Sequence, residues 1–104
     1  VGPDAVEIDL EDRLRNPWGI LHGGVVAMLV DLAAEHVTGG ITTDVVLHYL
    51  APNRTGPVRA VVRPVAHRSD GAVCRVEVTD TAADRVTAIA ITTSAPSAVT
   101  PARP

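Results

Sequence analysis

The stretch NPWGILHGGVVAMLVDLAAEH, residues 16–36, decides the fold because it predicts one helix that must be largely buried. The helix should start at Gly23 or Gly24 and run to about Val37, before further glycines end it. It is apolar over most of its circumference, which is typical of a central helix. Asp31 interrupts this apolar pattern. A carboxylate in an apolar helix is costly to bury unless another group pairs with it or donates a hydrogen bond to it.

Strands are predicted on both sides of this helix. The segment AVEIDL, residues 5–10, alternates between apolar and polar residues, as a half-buried strand does. Four more strand signals follow the helix, separated by short turns, at residues 41–50, 56–66, 72–80 and 85–94. This order indicates an α+β fold, an antiparallel β-sheet wrapped around one long central helix.

A domain boundary is predicted near the end of the last strand. Residues 1–94 should form one domain, since 104 residues suit a single domain. Residues 95–104 combine prolines with small residues and lack periodicity, so they are predicted to be a disordered tail.

Composition narrows the function classes. The formal net charge of −3 argues against general nucleic-acid binding, which needs a basic face. A single cysteine, Cys74, excludes an intramolecular disulfide and a Cys-based zinc site, and the histidines show no ligand spacing. No apolar run reaches the roughly 20 residues of a membrane span. We therefore expect no metal, no redox cofactor and no membrane partner, with the cytoplasm as the default location.

The helix start is a candidate for binding a developing negative charge. Its N-terminus presents unpaired N–H groups and the positive end of the helix dipole, and the glycines of HGG let a ligand oxygen approach the backbone. The N–H of Gly23 could thus form an oxyanion hole, with Asp31 as base or nucleophile. These two residues lie eight positions apart, about 12 Å along one helix, too far for one carbonyl to touch both. Two antiparallel helices across a dimer would bring Gly23 of one chain to Asp31 of the other.

A second argument for a dimer comes from the apolar surface. One small sheet cannot cover a helix that is apolar nearly all round, so a second copy of the chain should bury the remainder. A homodimer, or a tetramer built from two dimers, is therefore predicted.

The segment from Asn16 to Asp31 closely resembles the signature of hotdog-fold acyl-CoA thioesterases of the phenylacetate-pathway (PaaI-like) type. A second match is GITTDVVLHYLAPNRTG, residues 40–56, which is similar to the family's strand after the helix, with its Ser/Thr-x-Asp and Tyr-Leu-x-Pro patterns. The resemblance covers roughly residues 5–94. It implies a hotdog fold, an acyl-CoA substrate, a site shared between subunits and no cofactor.

The resemblance also implies a role for each matching residue. Asp31 corresponds to the catalytic carboxylate, and Gly23 to the glycine whose N–H polarises the thioester carbonyl. Asn16 corresponds to a side chain that helps hold that carbonyl or the water. His22 is the motif histidine and shapes the turn, and Thr42 corresponds to a hydroxyl that positions the attacking water in some members.

Departures from the family pattern leave some assignments open. The loop AHRSDGA lacks the Gly-Arg or Gly-Lys often found near the CoA phosphates, so Arg54 and Arg68, together with Gly24, are the predicted substrate-binding residues. Glu35 lies one helical turn after Asp31 and is either a surface or salt-bridge charge or a second carboxylate acting with Asp31. Trp18 is either an interface anchor or a lid over the site.

Three functions remain possible on the sequence. Acyl-CoA thioester hydrolysis ranks first, and a non-catalytic acyl-binding or oligomerisation module ranks behind it. A hotdog dehydratase or hydratase is a more distant possibility, because its His/Asp pairing and loop motif are not found. Simpler alternatives also stand: Asp31 as a structurally paired carboxylate, Asn16 as a turn residue and Cys74 as inert packing.

Overall fold

The computed structural model describes residues 4–17, 19 and 21–96. Trp18 and residues 97–104, most of the predicted tail, lie outside these described residues, whereas Ala95 belongs to the last strand. The elements follow in the order β1 Ala5–Ile8, a short 3-10 helix Asp12–Leu14, α1 Gly23–Thr38, β2 Ile41–Tyr49, β3 Val58–Arg68, β4 Gly71–Asp80 and β5 Arg85–Ala95. Within the described part of the chain, no helix is long and apolar enough to cross a membrane.

The five strands form one antiparallel sheet in the order β1-β3-β4-β5-β2. Strands β1 and β2 therefore lie at its edges. The register shifts between Thr42 and Asp44, between Pro64 and Ala66 and between Val78 and Thr79. Such irregularities increase the local twist, which lets a sheet curve around a helix. The predicted α+β class, with one antiparallel sheet and one helix, is confirmed.

The core lies between α1 and the inner face of β3, β4 and β5. Strand β4 alternates buried and half-buried residues along its length, and Cys74, Val76 and Val78 face the helix. From the helix side, Val26, Leu29, Val30 and Ala33 fill the same layer. Burial raises the pKa of the Cys74 thiol, so this residue stays a neutral packing group.

The helix has nearly the span predicted from the sequence, but 16 residues do not make it the long central helix of the prediction. It contains 16 residues, about 24 Å, and ends where Gly39 adopts a left-handed conformation with φ of 70°. Its buried residues face the sheet, and its other side is open. On that side, and along the edge strand β2, large apolar side chains are 37–56% exposed: Met28, Leu32, Ile41, Val45, Val46 and Tyr49.

A buried carboxylate shapes the loop before β3. Asp80 is only 1% exposed, and its oxygens accept the backbone N–H groups of Arg54 (3.0 Å), Thr55 (3.0 Å) and Gly56 (2.7 Å). Burial alone raises the pKa of the Asp80 carboxyl, but these backbone donors and that of Ala83 together hold it below its ordinary value. Asp80 therefore fixes the loop as a structural anion.

Candidate active site

The start of α1 presents free backbone donors. The carbonyl of His22 accepts the N–H groups of Val25 (3.0 Å) and Val26 (3.2 Å), which closes the first turn. The His22 side chain is exposed and forms no capping hydrogen bond. Within residues 4–17, 19 and 21–96, no hydrogen bond uses the N–H of Gly23 or Gly24. Both donors can therefore receive a ligand oxygen at the positive end of the helix.

Tyr49 stabilises this helix start. Its hydroxyl donates a 2.7 Å hydrogen bond to the carbonyl of Gly23. Because a peptide unit is planar, the same contact orients the N–H of Gly24. From the sequence, Tyr49 is only part of the Tyr-Leu-x-Pro pattern and has no predicted place in the site.

A small cleft opens beside these donors. It encloses about 260 Å³, and its walls include Asn16, Gly23, Tyr49 and Asn53. Asn53 is buried; its side-chain oxygen accepts the hydroxyl of Thr87 at 2.6 Å. This hydrogen bond fixes the Asn53 side chain in the wall of the cleft. The structure therefore brings two predicted site residues together, Asn16 and Gly23.

The loop that carries Asn16 is tied down by an arginine. The guanidinium of Arg15 donates to the carbonyls of Gly19 and Arg54, both at 2.7 Å. The backbone of Arg54 therefore lies beside the loop that precedes the helix. The N–H of Arg54 donates to the carboxylate of Asp80. The sequence could not assign this role to Arg15, because the contact joins residues 39 positions apart.

Asp31 lies on the half-open side of the helix. The residue is half-buried, and its Oδ1 oxygen is shielded from solvent without any hydrogen-bond partner. A carboxylate serving only as a structural ion pair would have its buried oxygen satisfied. The unpartnered oxygen instead favours the functional alternative for Asp31.

Glu35 and Thr42 form a neighbouring unit. The backbone N–H of Thr42 donates to Oε2 of Glu35 at 3.2 Å, so this carboxylate joins the end of α1 to the start of β2. Among the described residues, Glu35 takes part in no salt bridge. The hydroxyl of Thr42 is buried and lacks a partner. Glu35 is thus a link between helix and sheet rather than a free surface charge.

Within one chain, the predicted site residues do not all come together. Asn16 and Gly23 line the cleft at the start of the helix, whereas Asp31 lies eight residues further along the helix and Thr42 lies at the start of β2. The predicted phosphate ligands are separated as well. Arg54 lies near the helix start, whereas Arg68 lies at the β3–β4 hairpin, 3.6 Å from Asp70, with 71% of its side chain exposed.

Within the described residues, no group of three or more His, Cys, Asp or Glu side chains is placed so that it could hold a metal ion. The residues described above offer backbone N–H donors, a carboxylate and hydroxyl groups.

Comparison with known proteins gives one sequence relative. No family model matches the chain. A protein named "Putative esterase SSO1253", from Saccharolobus solfataricus, is 29% identical over 72 residues. The match covers 62% of this chain and 48% of that protein, so the chain spans about half the length of the relative.

Solved structures share the fold over most of the chain. The PaaI protein from the phenylacetic acid degradation operon of Escherichia coli matches with a TM-score of 0.81 and 16% identity, covering 88% of this chain and 70% of that one. The protein smu.793 from Streptococcus mutans, solved with acetyl-CoA, matches with a TM-score of 0.80 and 23% identity. The match covers 89% of this chain and 80% of that one. Thioesterase superfamily member 2 from mouse matches with a TM-score of 0.79 and 23% identity. The match covers 91% of this chain and 83% of that one.

These likenesses show that the chain has the hotdog fold of PaaI and the thioesterase superfamily. The resemblance stated from the two sequence motifs is thereby confirmed at the level of fold. Identities of 16–23% do not carry activity from those proteins to this chain.

Proposed function

We propose that this protein hydrolyses acyl-CoA thioesters to a free acid and CoA. The observation that carries the proposal is the unpartnered, solvent-shielded Oδ1 of Asp31, on a helix whose first N–H groups are also unpaired. A base or nucleophile and an oxyanion-binding donor are the two elements that acyl transfer requires. The presence of acetyl-CoA in one structure of the same fold supports a CoA thioester as the substrate.

The complete site is proposed to form in a homodimer. Residues 23, 27 and 31 recur every four positions, so Gly23, Ala27 and Asp31 share one face of α1. When two such helices run antiparallel with Ala27 at the two-fold axis, Gly23 of each chain lies opposite Asp31 of the other. The small side chain of Ala27 lets the helices approach closely. This arrangement supplies two equivalent sites for each dimer.

The edge of the sheet supports the same partner. Strand β2 lies at an edge of the sheet, and Val45 and Val46 on it are 37% and 50% exposed. An exposed apolar edge strand is prone to pair with another chain. A second copy would cover this edge together with Met28 and Leu32, which are 55% and 51% exposed on the helix. A dimer of dimers is compatible with this pairing.

The reaction then follows from the residues that the two chains bring together. The N–H of Gly23, aided by the Asn16 side chain, holds the thioester carbonyl oxygen and stabilises the negative charge that develops on it. Asp31 of the other chain either takes a proton from the attacking water or attacks the carbonyl carbon itself. In both routes the C–S bond breaks, and the CoA thiolate leaves and takes a proton. With Asp31 as base, the attacking water gives the free acid directly. With Asp31 as nucleophile, a mixed anhydride forms first, and water then cleaves it to release the acyl group as a carboxylate and to restore Asp31.

Hydrolysis of an acyl-CoA panel, followed by thiol release, tests the proposal. We expect at least one acyl-CoA to be turned over and the Asp31→Asn variant to lose that activity. Absence of hydrolysis across short, medium and aromatic acyl-CoAs would contradict it and favour the non-catalytic acyl-binding module. Sedimentation of the same preparation should show a dimer or a tetramer, and an active monomer would contradict the shared site.

A further inference from the structure

A second, larger cleft lies at the other end of the helix. It encloses about 440 Å³ between the end of α1, the β3–β4 hairpin and the end of β5. This volume lies within the range of small-molecule sites. Its lining includes Thr38, Gly40, Arg68, Ala72, Ser94 and Ala95. Of these residues, only Arg68 was predicted from the sequence to bind substrate, and its side chain is 71% exposed.

Ser94 lines the cleft and has a buried, unsatisfied hydroxyl. The residue is 3% exposed, and its Oγ has no hydrogen-bond partner. In the sheet it lies directly between Thr42 on β2 and Ala72 on β4. The hydroxyl of Thr42 is also buried and unpartnered. Buried hydroxyls without partners destabilise a fold, so two adjacent ones indicate a site that a ligand completes.

The cleft adjoins the end of the helix that follows Asp31. Glu35 lies one helical turn beyond Asp31 and accepts the N–H of Thr42, whose neighbour across the sheet is Ser94. The path from Asp31 towards Ser94 therefore follows the end of the helix. Gly40 keeps the cleft narrow, because its backbone lies against the carbonyl of Ala95 and leaves no space for a side chain.

We infer that this cleft receives the distal part of an aliphatic acyl group and that Ser94 selects acyl groups bearing a hydroxyl or oxo oxygen. This inference rests on the proposed function, because the acyl group enters the cleft from a thioester held near Asp31. The serine hydroxyl both donates and accepts hydrogen bonds, so it suits either oxygen substituent. A plain alkyl chain would cover the Ser94 hydroxyl without pairing it, and a site of this kind disfavours such a chain.

Matched substrates test this selectivity. The kcat/KM of the protein is measured for butyryl-CoA and for its 3-hydroxy, 3-oxo and 4-hydroxy derivatives. At least one oxygen-bearing substrate should exceed butyryl-CoA by roughly tenfold. In Ser94→Ala this preference should disappear, so that the kcat/KM values of the oxygen-bearing substrates fall to that of butyryl-CoA.

The control variant is Thr92→Val. Thr92 lies two residues away on β5 and is also buried on the inner face, where it is the cross-strand neighbour of Cys74, but it does not line the cleft. It should keep the native preference. An equal effect of both variants, or no preference in the native protein, would overturn the inference and leave water as the occupant. Equal weakening of all four substrates by Ser94→Ala would also overturn it, because it would indicate contact with the common CoA portion.

Binding measurements separate this inference from the proposed function. Calorimetric dissociation constants for butyryl-CoA and the three derivatives are measured with Asp31→Asn, which leaves the substrates intact, and with the native protein if it hydrolyses none of them. A preference for oxygen-bearing ligands that Ser94→Ala removes supports the role of Ser94 even when hydrolysis is absent. Equal dissociation constants would reject that role even when hydrolysis is present.

Discussion

Among single residues, Asp31 has the largest expected effect on activity. Its Oδ1 is shielded from water and unpartnered, so replacing the charge with an amide removes the base or nucleophile without breaking a hydrogen bond to that oxygen. We expect Asp31→Asn to lower kcat by about 100-fold or more, in the range typical of general-base loss, with unchanged thermal unfolding. Asp70→Asn, at the exposed β3–β4 hairpin, is the control and should keep native activity. Native turnover by Asp31→Asn would remove Asp31 from the mechanism.

Asp80 should have the opposite profile, with a large effect on stability. An asparagine would turn its amide towards backbone N–H groups that now donate to a carboxylate. Losing hydrogen bonds to a charged acceptor should reduce the free energy of unfolding by about 2–3 kcal/mol. Urea unfolding measures this change, with Asp84→Asn in the following turn as an exposed control. Equal stability of the two variants would contradict the anchoring role.

Asp80 also predicts how stability depends on pH. Its pKa is lower in the folded protein than the value of about 3.9 expected in the unfolded chain, so the unfolded state binds the proton first. The stabilisation is therefore complete above about pH 4 and is lost as the pH falls through the folded-state pKa. Urea midpoints between pH 7 and pH 3 should fall more steeply in the native protein than in Asp80→Asn. Parallel curves for the two proteins would contradict this assignment.

At the level of elements, the helix start offers a test of the oxyanion site. A Cβ added at Gly23 would lie 3.4 Å from the Tyr49 hydroxyl, an ordinary contact, so Gly23→Ala should fold. The added methyl would narrow the cleft through which a carbonyl reaches the N–H, and we expect activity to fall about tenfold or more. Gly24→Ala, whose Cβ would meet no atom within 4 Å, controls for the effect of alanine on stability. Native kcat/KM in Gly23→Ala would argue against this carbonyl position.

Local pattern accounts for most of the element boundaries. The helix was predicted from Gly23 or Gly24 to Val37 and spans Gly23–Thr38, and the last strand ends one residue later than the predicted residue 94. The alternation that predicts β4 also identifies its buried face. Strand β1 is shorter than residues 5–10, because pairing with β3 ends at Ile8.

Long-range contacts account for what the sequence did not reveal. The strand order, the three register shifts and the Arg15–Arg54 contact join distant residues that no local pattern connects. Motif spacing predicts Asn16, Gly23 and Asp31 as site residues, whereas it does not predict a role for Tyr49 or Ser94. A tyrosine or serine in a strand is ordinary, and only its neighbours across the sheet reveal a role. Ser94 emerged because its pairing with Thr42 left two hydroxyls unsatisfied.

For the whole molecule, the open side of the helix should be an interface. Leu32 is 51% exposed on α1, and in the proposed dimer a charge there would be buried without a partner. We expect Leu32→Glu to produce a monomer in sedimentation and to lose activity as the dimer is lost. Val65→Glu, at a β3 position that is 65% exposed and outside the proposed interface, should remain dimeric and active. An active Leu32→Glu monomer would contradict the interface.

Complementation tests directly whether each site takes residues from two chains. Asp31→Asn and Gly23→Ala are each purified, mixed in equal amounts, unfolded and refolded together. Random pairing makes half of the dimers mixed, and in a shared-site dimer each mixed dimer has one site with native Asp31 and native Gly23. Activity should therefore recover to about a quarter of the native value, since one of two sites works in half of the dimers. If both residues acted within one chain, every chain would carry one defect, and the mixture would show only the average of the two residual activities.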